Sequence, residues 1–185
     1  MASESTIRPV RKRTFVQRVK EFFGWSKKSG SGDSQSSALL RNDFFSLREQ
    51  GKHDQAIAAA QKLLAKHPDD ASMAKSLGDL LAPRDKKRAA ANYLGAAVHN
   101  AQHGFYRQAL ALARLALSLD ASRTDARQLL GDVLLSLGEI NEAFAEFETA
   151  IEAYAAAGDA ARAEKLKAHL EQARTFYTHA QIKSS

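Results

Sequence analysis

Cysteine is absent from this 185-residue chain. Its absence removes disulfides, thiolate nucleophiles and cysteine-built zinc sites, and fits a reducing compartment. Proline occurs three times and glycine ten, so little interrupts long helices. No stretch approaches the roughly 18 apolar residues that a membrane span requires. The early basic residues are not followed by the unbroken apolar region of a secretory signal. A cytoplasmic location, with attachment to a membrane only from outside the bilayer, is the resulting expectation. Catalytic signatures are missing too. There is no Gly-x-Ser-x-Gly elbow and no Gly-x-Gly-x-x-Gly loop, and Gly30-Ser31-Gly32 has no strand before it.

Two weaker chemical patterns remain. His99 and His103 stand four apart, a spacing able to bind a metal. The intervening Asn100-Ala101-Gln102 lacks the glutamate of the zinc protease motif, which leaves a structural or solvent-facing role. Glu142, Glu146 and Glu148 resemble paired carboxylates but read as a solvated helix face. The expectation is a non-enzyme with no metal and no cofactor.

What the chain does have is unevenly distributed charge. The formal net charge is +6. Residues 1–30 hold Arg8, Arg11, Lys12, Arg13, Arg18, Lys20, Lys27 and Lys28 against Glu4 and Glu21 alone, while the remainder is balanced. Any attraction to an anionic surface therefore belongs to the N-terminal segment. Composition divides the chain into a basic aromatic segment over 1–25, a Ser/Gly-rich flexible linker over 26–37, a helical region over 38–177 and a short polar tail over 178–185.

Within 38–177, Gly51, Pro68-Asp69-Asp70, Pro83, Gly104, Asp120-Ala121-Ser122, Gly138 and Gly158-Asp159 punctuate segments rich in Ala, Leu, Gln, Lys and Arg. These are good helix formers, and nothing alternates with period two. About eight helices are predicted. Ala56 to Ala90, Ala109 to Ala143 and Gly104 to Gly138 are each a step of 34. In the stretch from Thr124 to Ala157, a Leu130-Gly131 pair is followed by Leu134, then Gly138, then Ala143, Phe147 and Ala150. This resembles a tetratricopeptide repeat, with Arg127 and Ala155 in place of the family's initial large residue and terminal proline. Fainter copies hold Leu77-Gly78, Leu81, Ala90, Leu94 and Ala97; Leu47, Gly51, Ala56, Leu63 and Pro68; and Tyr93, Ala97, Gly104, Tyr106, Ala109 and Ala116. The resemblance implies an all-α, right-handed α-solenoid of antiparallel helix pairs, with three to four and a half units. Steps of 19 from Ala90 to Ala109 and 20 from Ala143 to Ala163 suggest that the helices near 85–102 and 140–157 each serve two overlapping units.

The resemblance also implies a groove lined by the first helix of each unit, holding a protein partner. Carried onto this sequence, the groove positions are Arg41, Phe45, Arg48, Lys75, Asp79, Leu94, Val98, Gln102, Gln128, Asp132 and Leu135. The competing reading is that several of them only pack the superhelix. Some members of the family clamp a partner's C-terminal carboxylate with lysines, asparagines and an arginine. Here Phe45 and Ser76 stand where asparagines would be needed, so that clamp does not carry over, and a helix or extended peptide held by apolar contacts fits better.

In the first segment, Phe15, Val19, Phe22 and Phe23 fall on one helical face, with Arg11, Arg13, Arg18 and Lys20 mostly elsewhere and Trp25 at the end. Aromatic rings beside cations suit an interfacial membrane helix. A protein-docking helix, a segment folded back on the repeats, a nucleic-acid arm and a targeting presequence compete with this; the phenylalanines favour lipid or protein over nucleic acid. The expected function is a non-catalytic adaptor or scaffold. A cytosolic chaperone for an exported protein is the alternative, and an RNA-associated scaffold a weaker one. Partner identity and oligomeric state are left open by the sequence.

Overall fold

The computed structural model describes residues 34–182, and among them every regular element is an α-helix. Eight follow one another: α1 (Ser34–Glu49), α2 (His53–Lys66), α3 (Ala71–Leu81), α4 (Lys86–Gln102), α5 (Tyr106–Leu119), α6 (Thr124–Leu137), α7 (Ile140–Ala156) and α8 (Ala160–Ile182). The basic aromatic segment, with Arg11, Arg13, Phe15, Arg18, Val19, Lys20, Phe22, Phe23 and Trp25, lies outside the described residues.

Local chemistry explains the boundaries. Asp70 caps α3 by accepting from the Met73 amide at 2.9 Å, and Asp85 caps α4 through the Arg88 amide at 3.0 Å. Gly138 ends α6 at φ 90°, a conformation that glycine adopts without steric cost. Gly104, one 34-residue step earlier, ends its turn at φ 82°. Helix α1 starts inside the stretch read as linker. Its serines are engaged: Ser36 Oγ accepts from Lys66 Nζ at 2.7 Å, and Ser37 Oγ lies 2.5 Å from His67 Nε2. At the other end, α8 continues past Tyr177 to Ile182.

Each helix packs on the next, so successive helices alternate between two layers. Four observations tie alternate helices together. Arg41 of α1 pairs with Asp70 at the start of α3. Helices α2 and α4 flank one depression. Helix α4 touches α6. His169 of α8 reaches Asp132 of α6. Odd-numbered helices form one layer and even-numbered helices the other.

Two inter-helix keys hold the pairs. A Cβ built on Gly131 of α6 would lie 2.6 Å from Cε1 of Phe147 in α7, and one on Gly78 of α3 would lie 2.8 Å from Cε1 of Tyr93 in α4. Small against aromatic lets each pair of axes approach, and both aromatics are buried. Gly131→Ala is therefore expected to lose about 1 kcal/mol net, overpacking of about 1–3 kcal/mol outweighing about 1 kcal/mol of helix propensity; urea denaturation would read it.

Helix α4 is central. Ala89, Ala90, Tyr93, Leu94, Ala96, Ala97, Val98 and Ala101 are all buried, and at 100° per residue they cover more than half of its circumference. It serves as the second helix of one pair through Tyr93 on Gly78, and it packs closely on α5 as well. The spacing of 19 between Ala90 and Ala109 has this physical meaning: one helix belongs to two pairings.

Candidate partner-binding faces

The sequence-derived groove residues are not brought to one face. Arg41, Phe45, Arg48, Lys75 and Asp79 sit on α1 and α3 in the odd layer, whereas Leu94, Val98, Gln102, Gln128, Asp132 and Leu135 sit on α4 and α6 in the even layer. The motif register slips by one helix at α4, so the first helix of each unit changes layer there.

On α1 the i, i+4, i+7 spacing aligns Arg41, Phe45 and Arg48. Phe45 packs edge-on against the buried Phe44, with ring centroids 5.1 Å apart at 76°. The guanidinium carbon of Arg48 lies 5.2 Å from the Phe45 centroid and 5.8 Å from that of Phe44. Exposed Arg48 and half-buried Phe45 thus form a cation–aromatic platform. Arg41 is ion-paired to Asp70 yet keeps 43% of its side chain exposed. On α3, Lys75 Nζ donates to Asp79 at 2.8 Å one turn away. Asp79 also accepts from the Tyr93 hydroxyl at 2.7 Å. Burial first, and then this bond and charge, hold the Tyr93 phenol well above its usual range.

The even-layer residues fare differently. Leu94 and Val98 are buried in the core and are not surface contacts, because α4 packs on α3, α5 and α6 together. Asp132 is also buried, at 6% exposure, and lies 3.2 Å from His169 Nε2. Helix α8 covers it, a long-range event that the local pattern around Leu130-Gly131 does not signal. Gln128 accepts from the Tyr154 hydroxyl at 3.4 Å, and the Leu135 carbonyl accepts from Tyr177 at 3.4 Å. Gln102 remains half-buried, with its Nε2 buried and making no hydrogen bond. Sequence reasoning gave Tyr93 only a place in a repeat copy, and missed Tyr154 and His169. Burial raises the Tyr154 phenol, and the Arg162 guanidinium bonded to it opposes that rise. The i, i+4 step from Asp132 to Ser136 carries no hint of a histidine 37 residues along the chain.

His99 and His103 stack at 4.1 Å between ring centroids, 28° apart in plane, and His103 Nδ1 lies 2.8 Å from the His99 carbonyl oxygen. Among the described residues no group of three or more His, Cys, Asp or Glu is placed to hold a metal. Burial, then the charge of His103, pushes the His99 pKa down, against a smaller opposite pull from Asp69 and Asp70. The unfolded chain thus takes up this proton at higher pH than the folded one. Stability supplied by neutral His99 is present above about pH 6.5 and falls as the pH drops below it. Melting temperatures at pH 7.5 and 5.5 should differ less in His99→Gln than in the wild type.

No helix among the described residues is long and apolar enough to cross a membrane. No protein-family model and no curated protein matches the chain. Solved structures similar to it include MamA, at 20% identity over 76% of this chain and 93% of that one, with a TM-score of 0.36. The Sgt2 TPR domain from Aspergillus fumigatus is 18% identical over 82% and 85%, with a TM-score of 0.45. A T3SS complex from Aeromonas hydrophila is 20% identical over 89% and 95%, with a TM-score of 0.44. With its 34-residue steps, its glycine–aromatic keys and its two alternating layers of paired helices, the protein is a tetratricopeptide-like helical-repeat solenoid.

Proposed function

We propose that this protein is a non-catalytic adaptor that holds a protein partner against the α1–α3 face. The observation that carries the reading is the Arg48 guanidinium over Phe45, with Arg41 one turn earlier on the same helix, half-exposed, and the exposed Lys75–Asp79 pair on α3 of the same layer. Arginine and aromatic side chains dominate the energetics of protein interfaces, and here they are already ordered before binding. The partner segment that fits is apolar with acidic flanks, so that it covers Phe45 and meets Arg41 and Arg48. The basic aromatic stretch from Val10 to Trp25 supplies a second attachment, to an anionic membrane surface, on the strength of its phenylalanine face and its charge.

Affinity capture from native lysate tests the first part, comparing the full chain, a chain beginning at Asp33 and a Phe45→Ala/Arg48→Ala double variant. Beginning at Asp33 keeps the Ser36–Lys66 and Ser37–His67 contacts intact. Partners recovered by the first two and lost by the double variant are the expected result. Partners that vanish with residues 1–32 would move recognition to the basic segment. For the second part, flotation with acidic liposomes should recover the full chain and not the shortened one, and failure of the full chain to float would remove the membrane attachment.

A further inference from the structure

Helix α1 opens the stack, so its outward side meets no other helix among the described residues. At 100° per residue, Ala38, Leu39, Asn42, Asp43, Ser46 and Glu49 share that side, and all are exposed. Leu39 is 62% exposed, more than any other large apolar residue among those described. Both charged residues on this side are acidic. Asp43 and Glu49 make no hydrogen bond or ion pair among the described residues. The basic residues of α1 lie on its other side, Arg41 paired with Asp70 and Arg48 over Phe45.

A repeat array needs its end faces closed by an atypical element, because an end unit lacks a neighbour. At the far end, exposed Glu164, Lys165, Lys167 and Glu171 give α8 an outer face of mixed sign. The α1 end differs, with a bare leucine beside two uncompensated carboxylates.

The chain carries a matching element directly upstream. Residues 10–25 hold Arg11, Lys12, Arg13, Arg18 and Lys20 against Glu21 alone, with Phe15, Val19, Phe22 and Phe23 spaced for one helical face. Residues 26–33 alone separate this stretch from the start of α1. A connection of that length is usual between antiparallel neighbouring helices. Antiparallel pairing then matches the two patterns end to end. Phe22 and Phe23 fall at the Leu39 end, and Arg11 and Arg13 fall at the Glu49 end.

We infer that residues 10–25 dock on the outward side of α1 as a capping helix of the same chain. The phenylalanines cover Leu39 and the small Ala38 and Ser46, while the cations meet Asp43 and Glu49. Arg11 and Arg13 also reach the C-terminal end of α1, where the helix dipole favours positive charge. The same phenylalanine face serves the membrane attachment proposed above, so α1 and lipid compete for it. Docking in the absence of lipid does not depend on that attachment.

Trp25 is the only tryptophan, so its fluorescence reports on this segment. In lipid-free full chain its emission should lie to the blue of that from a free peptide of residues 10–25. The full-length variants Asp43→Lys/Glu49→Lys and Leu39→Ser should move it toward the peptide's position. All three residues are exposed, so the variants keep their fold, which circular dichroism checks. In the charge-reversed variant the amides of α1 should exchange about tenfold faster than in the wild type, with those of α6 unchanged. Peptide-like emission from the wild type, or a charge-reversed variant equal to it in emission and exchange, would overturn the inference. A blue shift that grows with protein concentration would make a second copy the occupant and overturn docking within the chain. Flotation with acidic liposomes reads the membrane attachment separately, and either reading can fail without the other.

Discussion

Phe147→Ala should cost about 3–5 kcal/mol, enough to remove most of the stability of a domain this size. The ring is fully buried. It fills the space above Gly131 and stands edge-on to His169, with ring centroids 5.1 Å apart at 72°. Truncation leaves a hole between α6 and α7 that glycine cannot fill and removes a support of α8. Equilibrium urea denaturation followed by circular dichroism measures the loss. Phe147→Leu should recover a good part of it, because an aliphatic side chain refills much of the volume. A cost under about 1 kcal/mol for the alanine variant would mean that the two helices collapse onto each other, and would take from the glycine–aromatic contact its role as a key.

His169→Leu is the second large effect. It strands the carboxylate of Asp132, which is buried and whose side chain has its hydrogen-bond partner in that ring. An unsatisfied buried charged group costs about 2–3 kcal/mol or more, whereas removing both partners together is often nearly neutral. The double variant Asp132→Leu/His169→Leu is therefore expected to be more stable than His169→Leu alone. A double-mutant cycle by chemical denaturation gives the coupling, and additive costs would show that α6 and α8 are not joined through this pair. Because Asp132 sits on α6 and His169 near the middle of α8, the His169→Leu variant should also expose α8 to early hydrogen exchange.

These two effects mark where sequence reading reaches and where it stops. The contact behind the first was readable: Leu130-Gly131 followed by Phe147 at the family's spacing announces a close approach of two helices, and the structure places a ring on that glycine. The double duty of α4 was readable too, from the step of 19 between Ala90 and Ala109. The Asp132–His169 pair was not. Position within the motif puts Asp132 on the surface of an isolated helix pair, and only the arrival of α8 buries it. Leu94 and Val98 failed for a related reason. Periodicity tells which residues share a face but not which neighbour that face meets, and α4 has neighbours in both pairings. The partition of Arg41, Phe45 and Arg48 from Gln102, Gln128 and Leu135 into opposite layers is likewise a property of the whole stack. No window of the sequence as long as one unit contains it.

The doubly employed α4 also bears on how such an array changes over generations. Repeat proteins commonly lengthen or shorten by gaining or losing a whole unit, since each unit offers its neighbours the same pair of faces. Here a helix pair removed or inserted beside α4 would separate Tyr93 from Gly78, or α4 from α5, and leave one of two unlike faces without its mate. Length variation in relatives of this chain is then expected at the α1 and α8 ends, with the block from α3 to α5 inherited as one indivisible piece.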